Sequence, residues 1–159
     1  MSTQLTPGSA APEFDLATDG GGRVRLSDLG GGPAIVYFYP RDDTSGCTRQ
    51  AIAFSGLRPR FDAIGARIVG ISADSPARHD AFKNKHGLTI QLASDADGSV
   101  LEAYGVWVEK SMYGRRYMGI ERSTFLIDAS GTIARVWRKV RVPGHAEEVL
   151  EAARRIRAG

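Results

Sequence analysis

Hydrophobic residues along the chain fall into short dense runs and longer periodic stretches, and the two patterns predict different elements. The run from Ala34 to Tyr39 is continuously apolar, which is typical of a strand buried on both faces in a central parallel sheet. Residues 66–74, ARIVGISAD, predict a second buried strand. Shorter strands are expected from Arg23 to Leu26 and from Gln91 to Ala93.

Helical periodicity separates these strands. A helix is predicted after residue 47, where apolar residues recur at helical spacing at Phe54, Leu57, Phe61 and Ile64. Pro59 should kink or split this helix, because proline lacks a backbone donor and its ring clashes with the preceding turn.

Further helices have recognisable ends. Ser75 and Pro76 form an N-cap and first-turn pair, and Gly87 closes the helix that they begin. A helical turn is expected from Ser99 to Tyr104. Residues 144–159 carry acids in their first turns and arginines in their last, an order that suits the helix dipole and predicts a final helix.

A β-hairpin is predicted within residues 121–142, turning at Asp128 to Gly131, because Gly131 supplies the positive φ that such turns need. The element order is then βαβα, a hairpin and a last helix. This order predicts an α/β protein with a thioredoxin-like fold, in which helices flank a mixed central sheet. No repeat or linker divides the chain, so we expect a single domain over residues 1–159.

Composition places the chain among globular proteins. It has 159 residues, 42% of them hydrophobic and 25% charged, with a net charge of +3. The longest apolar run is far too short to cross a bilayer, so no membrane association is expected. The first residues lack a basic start followed by an apolar core, so we expect no secretory signal and a cytoplasmic protein.

The only cysteine, Cys47, lies within YPRDDTSGCTRQAIAF, residues 39–54. One cysteine forms no internal disulfide, and a reducing cytosol keeps it as a thiol. A predicted helix start stabilises an anion and lowers a thiol pKa from about 8.5 toward roughly 3.5–7.5, so a thiolate is expected. Thr44 lies three residues earlier and, as a predicted N-cap, would place its hydroxyl on the side of the sulfur.

Residues 40–47, PRDDTSGC, resemble the peroxiredoxin active-site pattern PxxxTxxC. The stretch FYPRDDTSGCT is similar in particular to the Q-type subfamily, the bacterioferritin comigratory proteins. Two later segments, KSMYGRRYMGIERSTFLIDASGTI and WRKVRVPGHAEEVL, also resemble that subfamily. The resemblance extends from about Phe14 to Ile156, nearly the whole chain.

The resemblance implies a thiol peroxidase that reduces hydrogen peroxide and organic hydroperoxides. It makes Cys47 the nucleophile that attacks the O–O bond and becomes a sulfenic acid. Thr44 would hydrogen-bond the peroxide, and Pro40 would shield the pocket from water. Arg122 matches the family arginine that stabilises the thiolate and polarises the substrate, roles that suit a permanently charged forked donor. No metal, haem or flavin cofactor is implied.

The chain departs from the family at three positions. Many Q-type proteins carry a second, resolving cysteine, and the corresponding positions here are Ile52 and Lys83. An external thiol must therefore reduce the sulfenic acid, and three sources are open: a small thiol, a thioredoxin or glutaredoxin, or Cys47 of a second copy. Without fast resolution, excess peroxide is expected to overoxidise and inactivate the enzyme. Gln50 stands where the family often has an acid. A monomer, or a weak dimer, is expected.

Parts of the sequence are also compatible with other functions. Cys47 oxidation without turnover would make the protein a redox-sensing module. Nucleic-acid binding is not expected, although alternation in RVWRKVRV predicts a basic face formed by Arg135, Trp137, Lys139 and Arg141. No local signature indicates a cysteine hydrolase.

The histidines and the loop acids have plain interpretations. His79 and His86 are seven residues apart, about 10 Å along a helix, which is too far to share one metal ion. His86 is expected to act as a cation at a helix C-terminus, and His145 to lie at the start of the last helix. Asp42 and Asp43 are expected to be solvated in their loop.

Overall fold

A seven-stranded mixed sheet forms the centre of the molecule. The structure, a computed structural model, describes residues 5–158. The strands follow the order β2-β1-β5-β4-β3-β8-β9 across the sheet. Their bounds are β1 Asp15–Thr18, β2 Arg23–Arg25, β3 Ala34–Phe38, β4 Arg67–Ser72, β5 Gln91–Ser94, β8 Ser123–Ile127 and β9 Ile133–Trp137. The predicted fold class, a mixed sheet flanked by helices, is confirmed.

The three central strands are parallel, and all three were expected, β3 and β4 as buried apolar runs and β5 as a short strand. β3 pairs with β4 in parallel, and β4 pairs with β5 in the same direction. All five side chains of β3 are buried, because helices cover both faces of the sheet at that point. The outer strands β1, β8 and β9 pair antiparallel to their inner neighbours, as hairpins and returning segments do.

Four helices flank the sheet: α1 Ser45–Ala63, α2 Pro76–His86, α3 Ser99–Ala103 and α4 His145–Ala158. Residues of α1, α2 and α4 form one apolar core with one face of the sheet, whereas α3 contributes to a second core on the other face. The predicted ends of α2 are confirmed: Ser75 Oγ accepts the Arg78 amide at 3.2 Å, and Gly87 has φ 62°. Within the described chain, no helix is both long and apolar enough to span a membrane.

Of the two expectations for Pro59, a kinked or a split helix, the split is wrong, because α1 continues through it from Ser45 to Ala63. Proline removes the donor that would bond the Ser55 carbonyl four residues earlier. Thr89, just before β5, supplies a substitute: its hydroxyl donates to the Ser55 carbonyl at 3.5 Å. The Thr89 amide also donates to the Ser55 hydroxyl at 3.1 Å, so a neighbouring segment stabilises the helix where its own ladder is interrupted.

The sequence reasoning missed a separate two-stranded sheet formed by β6, Trp107–Met112, and β7, Arg115–Ile120. Most of its side chains are exposed, so the segment lacks the apolar pattern that identifies a buried strand. β1 was also missed.

The predicted hairpin within residues 121–142 is confirmed, with its turn at Gly131. The basic face predicted from Arg135 to Arg141 is not formed, because β9 ends at Trp137 and Lys139 has a left-handed φ of 48°.

Candidate active site

Cys47 lies in the first turn of α1, directly after the loop that leaves β3. The helix begins at Ser45, and Thr44 occupies the N-cap position in extended conformation. The Cys47 side chain is 2% exposed, with one end of the apolar core beneath it. The backbone amides of a helix start favour a negative charge at this position.

Beneath the first turns of α1, a stacked pair of aromatic rings forms the floor of the site. Tyr37 on β3 lies 4.8 Å from Phe54 between ring centroids. Tyr37 is paired across the sheet with Gly70 on β4, and a Cβ at Gly70 would lie 2.7 Å from the Tyr37 ring. Burial, with a further contribution from Cys47, raises the Tyr37 pKa well above its usual value, so its hydroxyl stays protonated.

Arg122, between β7 and β8, brings a guanidinium to the sulfur. Its Nη2 donates to Cys47 Sγ at 3.4 Å, and its Nη1 donates to Gln50 Oε1 at 2.7 Å. Gly46 allows this approach, because a Cβ there would meet Arg122 Nη2 at 3.0 Å. The guanidinium therefore places a fixed positive charge and a hydrogen-bond donor against the sulfur.

Gln50 therefore fills the position of the family acid by holding the arginine without neutralising it. Its side chain is buried, one helical turn beyond Cys47. Its amide nitrogen Nε2 has no hydrogen-bond partner among the described residues. An acid in this place would add a negative charge beside the thiolate, whereas the amide leaves the full guanidinium charge available to the sulfur.

Lys110 on β6 is a second cation near this centre, and sequence reasoning did not identify it. Burial and the neighbouring Arg122 charge lower its pKa, whereas Cys47 and Glu121 act in the opposite direction. Its stem lies over the opposite strand, where a Cβ at Gly119 would meet Lys110 Cδ at 3.2 Å. The missed hairpin thus adds positive charge to the surroundings of Cys47.

The structure places the other two predicted site residues in the loop before α1. Thr44 is the N-cap residue by position, but its hydroxyl does not cap the helix; it donates to the Arg41 carbonyl at 2.9 Å. The predicted capping bond is therefore wrong: no helix amide donates to the Thr44 oxygen, and the hydroxyl hydrogen is directed back to the loop. Pro40 is half-buried and is the first residue after the buried Tyr39.

The two positions where relatives carry a second cysteine lie apart from one another. Ile52 is on α1 and is 48% exposed, which is unusual for isoleucine. Lys83 is on α2, and its Nζ forms an ion pair with Asp19 Oδ2 at 2.8 Å. Cys47 is the only cysteine of the chain, so no second thiol is available to it within the molecule.

The expectation of solvation is wrong for Asp42, whereas Asp43 is exposed as expected. Asp42 is 3% exposed and lies against His79 and the Tyr39 hydroxyl. Asp43 accepts from Lys85 Nζ and lies against His86 Nε2, each at 2.8 Å, and these two partners lower its pKa. The sequence does contain an indication that His79 is buried: it lies three residues before the apolar Phe82, on the same face of α2.

The metal-ligating side chains and the Trp137 ring bear on the alternative chemistries. Within residues 5–158, no three or more metal-ligating side chains are grouped to hold an ion. The Trp137 ring is covered by the Arg135 guanidinium at 4.5 Å, and its Nε1 donates to Glu148 Oε2 at 2.7 Å. The guanidinium therefore occupies one face of this ring.

Family models, curated sequences and solved structures all place the relatives of this chain in one family. The model of the AhpC/TSA family matches residues 7–136. Peroxiredoxin Bcp of Bacillus subtilis is 44% identical over 144 residues, covering 91% of this chain and 92% of that protein. A solved structure of Xanthomonas campestris peroxiredoxin Q gives a TM-score of 0.88 at 40% identity and covers 98% of each chain.

A second solved structure is the trapped intermediate/ligand complex of the Xanthomonas campestris bacterioferritin comigratory protein, described in connection with its alkyl peroxide reduction activity. It gives a TM-score of 0.88 at 39% identity and covers 99% of each chain. These superpositions confirm the thioredoxin-like fold predicted from the element order.

Proposed function

Since the chain belongs to the AhpC/TSA family and is a peroxiredoxin of the Bcp or Q type, a thiol-dependent peroxidase, we propose that Cys47 is the residue that reduces its peroxide. The observation that carries the proposal is the contact of Arg122 Nη2 with Cys47 Sγ at 3.4 Å in the first turn of α1. A charged guanidinium and a helix start act together on one sulfur, which favours its nucleophilic form.

The reaction oxidises the sulfur by two electrons. The Cys47 thiolate attacks one oxygen of the peroxide, the S–O bond forms as the O–O bond breaks, and the sulfur becomes a sulfenic acid. The leaving oxygen takes the electron pair of the broken bond and then a proton, giving water or an alcohol. Arg122 is positioned to stabilise the negative charge that develops on the departing oxygen.

Pro40 and Thr44 complete the proposed site. The Thr44 hydroxyl rotates between its present acceptor, the Arg41 carbonyl, and a bound peroxide oxygen. Half-buried Pro40 lacks a backbone donor and limits the access of water to the same space. The substrates are hydrogen peroxide and organic hydroperoxides, and alkyl peroxide reduction by the Xanthomonas campestris relative supports the second class.

Recovery of the thiol requires an external reductant, because Cys47 is the only cysteine. A thiol attacks the sulfenic sulfur, forms a mixed disulfide and releases water, and a second thiol then frees Cys47. A small thiol, a thioredoxin or a glutaredoxin supplies these electrons in the cytoplasm, and no prosthetic group takes part. We propose that the enzyme works as one domain spanning residues 1–159 and as a monomer or weak dimer.

The first experiment is stopped-flow oxidation of the reduced protein by hydrogen peroxide, followed by Trp107 and Trp137 fluorescence and by intact mass. We expect a second-order rate far above that of free cysteine, with one oxygen added to the protein, and no such reaction in Cys47→Ser. A rate no faster than free cysteine would overturn the assignment. Steady turnover with one of the three classes of thiol would distinguish the peroxidase from a sensor that oxidises once.

A further inference from the structure

Behind the active-site loop lies a buried polar pair that the proposed chemistry does not use. His79 on α2 is 0% exposed and Asp42 is 3% exposed. His79 Nδ1 lies 2.6 Å from Asp42 Oδ2, and His79 Nε2 lies 3.0 Å from the Ala93 carbonyl on β5. The other carboxyl oxygen of Asp42 accepts from the Tyr39 hydroxyl at 2.5 Å. Every polar atom of the pair is therefore satisfied.

The arrangement requires one shared proton between Asp42 and His79. A carbonyl only accepts, so His79 Nε2 carries a hydrogen. A second proton must then lie between His79 Nδ1 and Asp42 Oδ2, because an unprotonated ring nitrogen and a carboxylate oxygen repel at 2.6 Å. The pair is thus a neutral unit overall, whether it is written as two opposite charges or as a neutral acid and a neutral imidazole.

This unit fastens the loop that carries the peroxide-binding residues. Asp42 lies between Pro40 and Thr44 in the chain, and its backbone amide donates to Asp74 Oδ2 at 2.7 Å. Thr44 is in turn bound to the Arg41 carbonyl, the residue next to Asp42. The loop backbone is therefore attached on its buried side to α2 and β5, while Arg122 reaches the sulfur independently from β7–β8.

We propose that Asp42 and His79 are positioning residues for peroxide reduction: through their shared proton they hold the loop so that Pro40 and Thr44 face the peroxide at Cys47. The inference rests on the proposed peroxidase function of Cys47. Two groups of residues then have different roles. Arg122 and the start of α1 act on the sulfur of Cys47, whereas Asp42 and His79 act on the loop that binds the peroxide.

The test measures two reactions of Cys47 in the reduced full-length protein, with hydrogen peroxide and with iodoacetamide. Iodoacetamide reports thiolate and access alone, since it needs no peroxide-binding loop. In Asp42→Ala, the peroxide rate should fall by about 10- to 100-fold, as displacement of positioned groups does, while the alkylation rate changes by less than about twofold. His79→Phe, which keeps the ring volume but removes both contacts, should behave in the same way.

Rescue by a conservative variant distinguishes this role from a general loss of structure. Asp42→Asn carries its own hydrogen on Nδ2, which donates to neutral His79 Nδ1, while its oxygen still accepts from Tyr39. Its peroxide rate should stay within about threefold of the wild-type rate. Asp43→Asn is the matched control, because Asp43 is the exposed neighbour, and asparagine tolerates its φ of 60°. Both of its rates should be unchanged.

Each outcome decides the inference. An unchanged peroxide rate in Asp42→Ala, or an equal fall in both reactions, would overturn it. Slow peroxide reaction of the wild-type protein would instead overturn the function of Cys47 itself. If near-ultraviolet circular dichroism shows that Asp42→Ala is unfolded, His79→Phe replaces it, since this change removes the proton shared with Asp42 and leaves the loop sequence unaltered. A fall confined to the peroxide reaction then supports the inference, and no fall overturns it.

Discussion

Gln50 fixes the direction in which the Arg122 guanidinium points at Cys47. Gln50 Oε1 accepts from one guanidinium nitrogen, and the other nitrogen is left pointing at Cys47 Sγ. The two bonds use the fixed fork of arginine, which a single ammonium group cannot reproduce. Charge and direction at the sulfur are therefore separate properties of Arg122, and substitutions can remove them one at a time.

We expect Arg122→Met to lower the rate of Cys47 oxidation by hydrogen peroxide by about 10²- to 10³-fold, because a donor aimed at the developing charge is lost. Arg122→Lys keeps the charge but loses the fork, so its rate should fall between those of the wild-type and Met proteins. Stopped-flow kinetics measure all three. Equal rates in the Lys and Met variants would show that direction, and not charge, is what matters.

His145 is a buried base whose protonation opposes folding. Burial lowers its pKa from 6.5 to about 4, and its Nε2 lies 2.8 Å from the Thr124 hydroxyl. As the pH falls below 6.5, the unfolded chain binds the proton first, so stability decreases with decreasing pH until about pH 4. The Phe54 and Trp137 rings pack edge-on against this imidazole and leave little room for the hydration of a cation.

Between pH 7 and pH 4.5, the wild-type protein should therefore lose more stability than His145→Gln, by on the order of 2 kcal/mol. The glutamine can keep a hydrogen bond to Thr124 but does not titrate. Urea unfolding at the two pH values gives the four free energies that are needed. Equal losses in the two proteins would show that His145 is protonated in the folded state.

The packing of α1 on β3 and β4 depends on one glycine. The Tyr37 ring occupies the space over Gly70 on the neighbouring strand and stacks on Phe54 of the helix. Without this space the ring would be displaced toward α1, which carries Cys47. The glycine is required by a close approach, and no unusual backbone angle is involved.

Gly70→Ala should lower the free energy of unfolding by about 1–3 kcal/mol, as overpacking of a dense core does. Gly56, within α1, is the contrasting position, because a Cβ added there meets nothing within 4 Å. Gly56→Ala should be more stable than wild type by roughly 0.5–1 kcal/mol, because alanine has the higher helix propensity. Chemical denaturation of both variants provides the comparison.

The molecule as a whole has one thiol and no second cysteine to protect its oxidised form. Relatives with a resolving cysteine convert the sulfenic acid to a disulfide, whereas in this chain Ile52 and Lys83 occupy the corresponding positions. On the proposed function, the Cys47 sulfenic acid would therefore persist until an external thiol arrives. Its lifetime depends on the concentration of reductant and not on a conformational change within the chain.

Peroxide in excess over reductant should convert Cys47 to the sulfinic acid and stop turnover irreversibly. Intact mass should show one added oxygen and then two, while activity falls in parallel with the second addition. Cys47→Ser corrects for oxidation of the three methionines. A protein that retains a single added oxygen and full activity under prolonged excess would contradict this expectation.

Local order along the chain was enough to identify the buried parallel strands, the ends of α2, the 128–131 turn and the Cys47 helix start, because each depends on neighbouring residues. The family resemblance predicted that Arg122 acts on Cys47, although the two residues are 75 positions apart in the chain. Folding determined the rest. At Pro59, Thr89 from another segment donates to the Ser55 carbonyl that the proline leaves without its helical partner. The side chains of the β6–β7 hairpin are mostly exposed and so have no apolar pattern. Asp42 and His79 are polar in isolation, and they are buried only because folding brings β3, α2 and β5 together and satisfies each of their polar atoms.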